Sequence, residues 1–477
     1  MMDYVQVLVI MLPNIALSVW LVSLLAHVHS VDVALPPKCT KSFSRGSAHK
    51  WTNWAGNWFA DPEQIFCPRS LNDLITIVNH AATQKKKIRT TGASHSWSSA
   101  CVVNNDGFLV ATGGLNKIFD PFKIKTGGGG SDGPWAVEVQ SGVVLKDLDT
   151  FLQRHDPPLT MPSNVGTIFA TYGGILSMGC HGASLSTRTI SDLVIEMKLV
   201  DAKGTLRTFS KEKDPAEFAA AVVNLGLLGI IYSYTIRVDP MFKLLMVDSY
   251  PLASEYFGDP SIGGPKLRDI VLGNYMTSVI YRPFSGDRLD YSDDRLWLKR
   301  WNRTDRALSH SLVPQCLQTS LQDGLGSFST CLGQHMAAHP SSTRPVLHVV
   351  HTIMGTSSES VLRAPNAIHF TGGSETLVHL DMGFSFKTDR DFANVVQASK
   401  YAIDLMYEYA HQGVFPLNIA LNLRFVKSSA MIMSHVYDED PEAIYCMIEL
   451  LSFKGTPGFD EFSTTVAQYW MKNFGAR

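Results

Sequence analysis

The chain has 477 residues and a net charge of −2, and 18% of its residues are charged, below the roughly 25% of an average soluble domain. A chain of this length is predicted to form two or three domains with a large buried core. Its basic runs are no longer than Lys85–Lys87, so the sequence lacks the electrostatic footprint of a nucleic-acid-binding protein. Composition and charge therefore predict no nucleic-acid partner.

Residues 1–30 are predicted to be a secretory signal peptide, and residues 31–50 a linker. Val5–Ala26 is almost wholly apolar and precedes a polar stretch that contains Pro36 and Pro37. The segment has no basic start and is also long enough to span a bilayer as a signal anchor. Both interpretations predict the secretory pathway, with the protein either secreted or anchored in the endoplasmic-reticulum membrane. A membrane partner is expected only if the segment is retained.

All seven cysteines follow this segment, at positions 39, 67, 101, 180, 316, 331 and 446. An odd count in an oxidising compartment leaves at least one thiol unpaired. Cys39–Cys67 and Cys316–Cys331 are candidate disulfides, although the sequence does not fix the connectivity. Cys180 is expected to be unpaired because it lies inside a glycine-rich loop.

Helix and strand patterns alternate from Trp51 to about residue 240. Ser70 is a suitable N-cap for a helix whose apolar positions between Leu71 and Ala82 recur at helical spacing. Strands are predicted at 88–91, 108–112, 135–139, 193–200, 205–209 and 230–238, and further helices at 143–154 and 216–223. Beyond 240, aromatic-rich segments alternate with loops. The pattern predicts an α+β fold with a domain boundary near 240.

Three glycine-containing segments stand out in this order. Arg89–Ser98 holds a single histidine among small residues, and Gly173–Ser184 holds another. Asn224–Ile231 is the third segment. Small residues let backbone N–H groups approach an anionic group closely, as phosphate-binding loops do. One such loop is weak evidence, so the order and spacing of all three carry the argument.

In that order and spacing, the segments resemble the FAD-binding domain of the vanillyl-alcohol-oxidase superfamily, above all its sugar-lactone branch of L-gulonolactone and D-arabinono-1,4-lactone oxidases. The resemblance covers residues 50–477, and it is strongest over 51–240 and in the strand near residue 424. It implies a two-subdomain PCMH-type FAD-binding domain over 51–240. It also implies a substrate or cap domain over 241–477, with an antiparallel sheet and flanking helices.

The resemblance further implies that the glycine loops bind FAD and that His95 forms a covalent bond to the 8α-methyl carbon of the flavin. The alternative is noncovalent FAD, with His95 held by hydrogen bonds within its loop. The implied cofactor-binding residues are Gly92, Ala93, Ser94, His95, Ser96, Trp97, Gly173, Gly174, Ser177, Gly179, His181, Gly182 and Ile230. No metal site is predicted.

Members of this family move a hydride from a CH–OH carbon of a small alcohol or lactone to flavin N5, and dioxygen is reduced to hydrogen peroxide. They use a Glu-x-Arg strand in the cap. Here the matching strand, Ile419–Lys427, keeps Arg424 but has Asn422 at the glutamate position. Alternation puts both side chains on one face, although an amide cannot accept a proton as a carboxylate does.

We therefore predict Arg424 and Asn422 as the catalytic residues. Three alternatives remain: a flavin-binding protein with lost or weak catalysis, a dehydrogenase, and an oxidase of another alcohol such as a sterol. Relatives also continue with a Pro-His-Trp-x-Lys segment where this chain ends at Arg477. We therefore expect a C-terminally truncated form.

Overall fold

The computed structural model describes residues 49–103, 105–124, 133–309, 329–354, 357–369 and 379–477. All of them belong to one unit, Lys38–Arg477. The predicted signal segment lies outside the described residues, as do all but the last two residues of the predicted linker. Within the described ranges, no helix combines the length and the apolar character that crossing a membrane requires.

The elements are numbered in chain order. The helices are α1 Leu71–Thr83, α2 Leu145–Arg154, α3 Tyr172–Ser177, α4 Pro215–Ala221, α5 Ser254–Phe257, α6 Pro260–Leu272, α7 Thr343–Met354, α8 Ala364–Ile368, α9 Ala393–His411 and α10 Phe459–Phe474. The strands are β1 Trp51–Thr52, β2 Phe59–Ala60, β3 Gln64–Phe66, β4 Ile88–Thr91, β5 Phe108–Ala111, β6 Phe122–Lys123, β7 Trp135–Gln140, β8 Leu159–Thr160, β9 Val194–Val200, β10 Leu206–Ser210, β11 Ile230–Pro240, β12 Lys243–Ser249, β13 Met276–Arg282, β14 Arg295–Arg303, β15 Ser358–Arg363, β16 His379–Lys387, β17 Ala420–Lys427 and β18 Ile444–Phe453.

Helix α1 begins where the sequence predicts. The Ser70 side chain accepts a hydrogen bond from the Asp73 backbone N–H, and the Asp73 carboxylate accepts one from the Ser70 N–H. This reciprocal pair satisfies two of the donors that a helix start leaves open. The apolar face of α1 packs with Phe66 and Phe108 of a three-stranded parallel sheet ordered β3-β5-β4. Strand β4 of this sheet leads directly into the first glycine loop.

A second, antiparallel sheet has the order β10-β9-β11-β7-β6, and β8 also pairs with β11. Strands β7, β9, β10 and β11 and the helices α2 and α4 lie within two residues of their predicted ends, whereas the two-residue strands β6 and β8 were not predicted. The second glycine segment differs from the sequence interpretation, because its first half is the short helix α3 rather than loop. The α+β class is confirmed by this mixture of helices and sheets.

The largest sheet of the described residues is antiparallel and has seven strands, in the order β15-β12-β14-β13-β17-β18-β16. It begins at Lys243, three residues after β11 ends at Pro240. One face of its strands β17 and β18 packs in a core with residues of α5, α6, α9 and α10. Alternation then directs the other side chains of these strands to the opposite face. Whether residue 240 separates independent domains stays a prediction.

The cysteines correct one expectation. Cys67 is disulfide-bonded, and Cys39 lies outside the described residues. Cys180 is a free thiol, as predicted. Cys331 is also free and exposed, so the Cys316–Cys331 pairing is wrong. Closeness in sequence does not bring two Cβ atoms to the spacing of about 4 Å that a disulfide needs.

Candidate active site

Residues that follow β1 form hydrogen bonds with the backbone of the first glycine loop. Trp54 N–H donates to the Ser94 carbonyl at 2.7 Å, and Asn53 Nδ2 donates to the Ser96 carbonyl at 2.8 Å. Ser94 has a positive φ of 64°. A Cβ on Gly92 would lie 2.0 Å from Thr171 Oγ1, at the start of α3. The two glycine loops therefore meet at Gly92, and a larger residue would push them apart.

His95 lies at an aromatic cluster and is half-buried, as is Ala93 two residues before it. The His95 ring stacks on Trp54, with 5.4 Å between ring centroids. His379 of β16 packs against Trp54 and Trp97, at centroid distances of 5.5 and 5.3 Å. Trp97 Nε1 also donates to the His379 carbonyl at 3.1 Å. The first loop is thus fixed to the edge strand of the seven-stranded sheet.

The second glycine segment also packs closely against neighbouring parts of the chain, so that its glycines leave no room for a side chain at Gly173 and Gly182. A Cβ on Gly173 would lie 2.6 Å from the Ser141 carbonyl oxygen, and a Cβ on Gly182 would lie 2.4 Å from Ser163 Oγ. The hydroxyls of Ser141 and Ser163 are buried and have no hydrogen-bond partner within the described part of the chain. Buried hydroxyls normally have a partner, so these two fit a polar ligand that lies along the loops.

The other predicted cofactor residues differ in their surroundings. Gly174 is exposed, and Gly179 has a φ of 68°. The Ser177 hydroxyl donates to the Gly174 carbonyl at 3.2 Å, within its own helix. Ile230 is buried in the core beneath α1. The Ser177 hydroxyl is therefore already satisfied within its helix, and Ile230 is a core residue.

The seven-stranded sheet carries a buried polar centre on the face opposite its core. Arg424 Nη2 lies 2.5 Å from both carboxylate oxygens of Glu449, which is on the neighbouring strand β18. Asn422 pairs with Glu449 in the sheet register, and its Nδ2 donates to Glu449 Oε2 at 2.7 Å. Ser278 Oγ in turn donates to Asn422 Oδ1 at 3.0 Å. The carboxylate that the Asn422 position lacks is thus supplied by Glu449.

The pKa values of the two carboxyls near this centre, Glu449 and Asp381, are shifted in opposite directions. Burial alone would raise the pKa of Glu449, but the positive charge of Arg424 and the hydrogen bonds to it lower that pKa below its usual range. Burial, and then the negative charge of Glu449, raise the pKa of Asp381 on β16 well above its usual range. Carboxyls whose environments drive their pKa values apart are typical of functional sites.

The second glycine segment meets this centre at His181. Its Nδ1 lies 2.9 Å from the Gly182 carbonyl oxygen, which can only accept, so Nδ1 donates and Nε2 is free to accept. Burial, and then the charge of Arg424, lower the pKa of His181 to about 3. The His435 ring lies 5.7 Å from the His181 ring, and burial lowers the pKa of His435 to about 4. Both imidazoles are therefore neutral at pH 7.

The structure brings the predicted residues Arg424, Asn422 and His181 into one neighbourhood. Burial raises the pKa of the adjacent Cys180 to about 11, so that thiol stays un-ionised. The sequence interpretation missed Glu449. Glu449 is the one charged residue in the mostly apolar strand Ile444–Phe453, and this was the available signal, because a charged residue is rarely buried without a partner.

Comparison with known proteins identifies the part of the chain that contains the first two glycine segments. Residues 62–210 match the family model of an FAD binding domain. L-gulonolactone oxidase from Mus musculus is 30% identical over 223 residues, which are 44% of this chain and 47% of that protein. D-arabinono-1,4-lactone oxidase from Saccharomyces cerevisiae is 35% identical over 193 residues, which are 40% of this chain and 35% of that protein. The aligned segments span less than half the length of these curated relatives.

Solved structures extend the likeness beyond the matched domain. A solvent-stable cholesterol oxidase is similar with a TM-score of 0.72 at 19% identity, over 89% of this chain and 83% of that chain. Cholesterol oxidase from B. sterolicum gives a TM-score of 0.69 at 20% identity, with the same coverage. At such identity the likeness shows a shared fold alone. The chain thus carries an FAD binding domain over residues 62–210, within a fold similar to that of the cholesterol oxidases.

Proposed function

We propose that the chain is an FAD-dependent oxidase that acts on a CH–OH group of an aldono-1,4-lactone or a polyol. The alcohol carbon loses a hydride and its hydroxyl loses a proton, and dioxygen takes two electrons and two protons to give hydrogen peroxide. One observation carries this proposal. The buried centre of Arg424, Glu449 and Asn422 lies beside His181 of the second glycine segment. Polar groups of the kind that can orient an alcohol thus lie next to the second glycine segment, which supports the proposal.

FAD, when bound, supplies the hydride acceptor. Arg424 stabilises the negative charge that develops on the alcohol oxygen, and its Nε is buried without a partner among the described residues. Glu449 accepts two contacts from Arg424 and so holds the guanidinium in one orientation. Asn422 fixes Glu449 in turn. The three side chains act together as a preorganised support for one substrate oxygen.

Covalent attachment of FAD at His95 is the finer part of the proposal. Support comes from the first glycine loop, where His95 is held against Trp54 by ring stacking. A ring that is already oriented loses less conformational entropy when it forms a bond. We also propose the secretory pathway as the destination, supported by the apolar segment Val5–Ala26 and the disulfide at Cys67.

The alternative of a protein that binds flavin without catalysis rested partly on Asn422. Glu449 weakens that alternative, because a carboxylate lies 2.7 Å from the asparagine amide. The dehydrogenase alternative differs from the main proposal in its electron acceptor, and the sterol alternative differs in its substrate. The test therefore measures oxygen uptake and includes cholesterol.

The test mixes the purified flavoprotein anaerobically with L-gulonolactone, D-arabinono-1,4-lactone, sorbitol and cholesterol, and follows flavin absorbance. Bleaching by a lactone or polyol, followed by oxygen uptake and peroxide release, is the expected result. Bleaching without oxygen uptake would indicate a dehydrogenase, and bleaching by cholesterol alone a sterol oxidase. Bound flavin that none of the four bleaches would contradict the proposal. Arg207→Met, at an exposed arginine on β10, serves as the control for arginine substitutions.

A further inference from the structure

Asp381 lies on the edge strand β16, between the aromatic cluster and the polar centre. Leu380, Met382 and Phe384 pack against the core, so alternation places His379, Asp381 and Gly383 on the opposite face. His379 contacts the tryptophans around His95. Gly383 pairs with Glu449 in the register, and a Cβ on it would lie 3.4 Å from Glu449 Cγ. Asp381 is thus on the same face as both.

One oxygen of the Asp381 carboxyl is enclosed and is left unsatisfied by the part of the chain that the structure describes. Its Oδ1 is buried and receives no hydrogen bond from any described residue. An ionised carboxylate in that position would lose its hydration without gaining a donor, which is strongly unfavourable. A carboxylic acid avoids that cost and supplies an O–H donor. Burial and the negative charge of Glu449 act in the same direction on the Asp381 pKa, and Arg424 only partly opposes them.

The charges around Asp381 are already balanced. Arg424 is paired with Glu449, whose two oxygens both lie 2.5 Å from the guanidinium. His181 and His435 are neutral at pH 7, because burial lowers the pKa of both rings. The described groups of the centre therefore leave no unpaired positive charge to offset a substrate carboxylate.

We propose that Asp381 binds the substrate directly, as an un-ionised acid whose O–H donates a hydrogen bond to an uncharged oxygen of a lactone or polyol. In consequence the centre selects uncharged alcohols over hydroxy acids that carry a carboxylate. This inference rests on the proposed function and deepens it. It assigns Asp381 a role in binding and specificity, and it leaves hydride transfer to the groups already described.

Infrared spectroscopy of the holoprotein tests the protonation state without any turnover. The difference between wild type and Asp381→Asn at pH 7 should contain the carbonyl stretch of one buried carboxylic acid. Sorbitol and L-gulonolactone should shift that band, because a new hydrogen bond weakens the carbonyl. A missing band, or a band that neither compound shifts, would overturn the inference. This result stands even if no alcohol is oxidised and the proposed function fails.

Steady-state kinetics distinguish whether Asp381 acts as a hydrogen-bond donor or as a general base. Asparagine keeps an N–H donor, so Asp381→Asn should retain kcat with KM within a few-fold of wild type. Asp381→Leu has no donor, and its KM should rise roughly 3- to 10-fold, the usual effect of one lost neutral hydrogen bond. Asp404→Asn, on the exposed side of α9, is the matched carboxyl-to-amide control.

Three kinetic outcomes would contradict the inference. If Asp381→Asn loses kcat as fully as Asp381→Leu, the carboxylate is a base and not a donor. If Asp381→Leu binds substrate as wild type does, the side chain does not touch it. If L-gulonate, the hydrolysed lactone, is bound as tightly as L-gulonolactone, the centre does not discriminate by charge.

Discussion

Removing Arg424 alone and together with Glu449 separates its structural role from its chemical one. The two side chains are 18% and 10% exposed, so Arg424→Met leaves Glu449 buried with an unpaired charge. Breaking a buried pair in this way costs about 3–5 kcal/mol of stability. The double variant Arg424→Met/Glu449→Leu removes both charges and leaves only the Asn422 amide short of an acceptor, at about 1–3 kcal/mol. Its melting temperature should therefore lie above that of Arg424→Met.

The activities of the two variants should not follow their melting temperatures. Both variants lack the guanidinium that stabilises the developing alkoxide, and losing one such donor typically slows turnover about 10²- to 10³-fold. The assay measures thermal melting of the flavoprotein and the rate of flavin bleaching by the best substrate, with Arg207→Met as the control. A double variant that melts like wild type and still bleaches at more than about a tenth of its rate would refute the reasoning, since Arg424 would then be a structural partner only.

Three further predictions concern the cofactor loops and Asp381. His95→Ala should leave a denatured chain without flavin fluorescence and release the flavin into the acid supernatant; a fluorescent band in that variant would exclude His95 as the attachment point. Gly173→Ala should lower the melting temperature, at a cost of about 1–3 kcal/mol, because its Cβ would lie 2.6 Å from the Ser141 carbonyl. Gly174→Ala, where the nearest atom is 3.6 Å away, should keep the fold, and any loss there would report on FAD retention. Asp381→Asn should raise the free energy of unfolding at pH 7. Because the pKa of Asp381 is raised in the folded state, this group lowers the free energy of unfolding of the wild type by about 1.4 kcal/mol per pH unit from about pH 4 up to that raised pKa. Urea titrations at several pH values should show this dependence in the wild type and not in Asp381→Asn.

Much of the first 240 residues could be predicted because the signals there are local. Ser70 and Asp73 cap α1 through bonds between residues three apart, and the apolar spacing of the helix is visible in the sequence. The strand Ala420–Lys427 alternates, so Asn422 and Arg424 could be assigned to one face. Glycine loops were also recognisable, because small residues cluster around a histidine in each.

The candidate site itself depended on contacts between distant residues. Asn422 and Glu449 are 27 positions apart and meet only because β17 and β18 pair in one register. Asp381 lies beside them because β16 pairs with the far side of β18. The Cys316–Cys331 pairing failed for the same reason, since a short separation along the chain does not set the distance between two side chains.

The sequence by itself determined most helices and strands up to residue 240, the two glycine segments and the face of its strand that carries Arg424. Those properties follow from backbone preferences and from side-chain periodicity within single elements. Only the tertiary structure decided which carboxyl pairs with Arg424 and which carboxyl has a raised pKa. Protonation in a buried site depends on solvent exclusion and on charges from neighbouring strands, and both arise only when the sheet has formed.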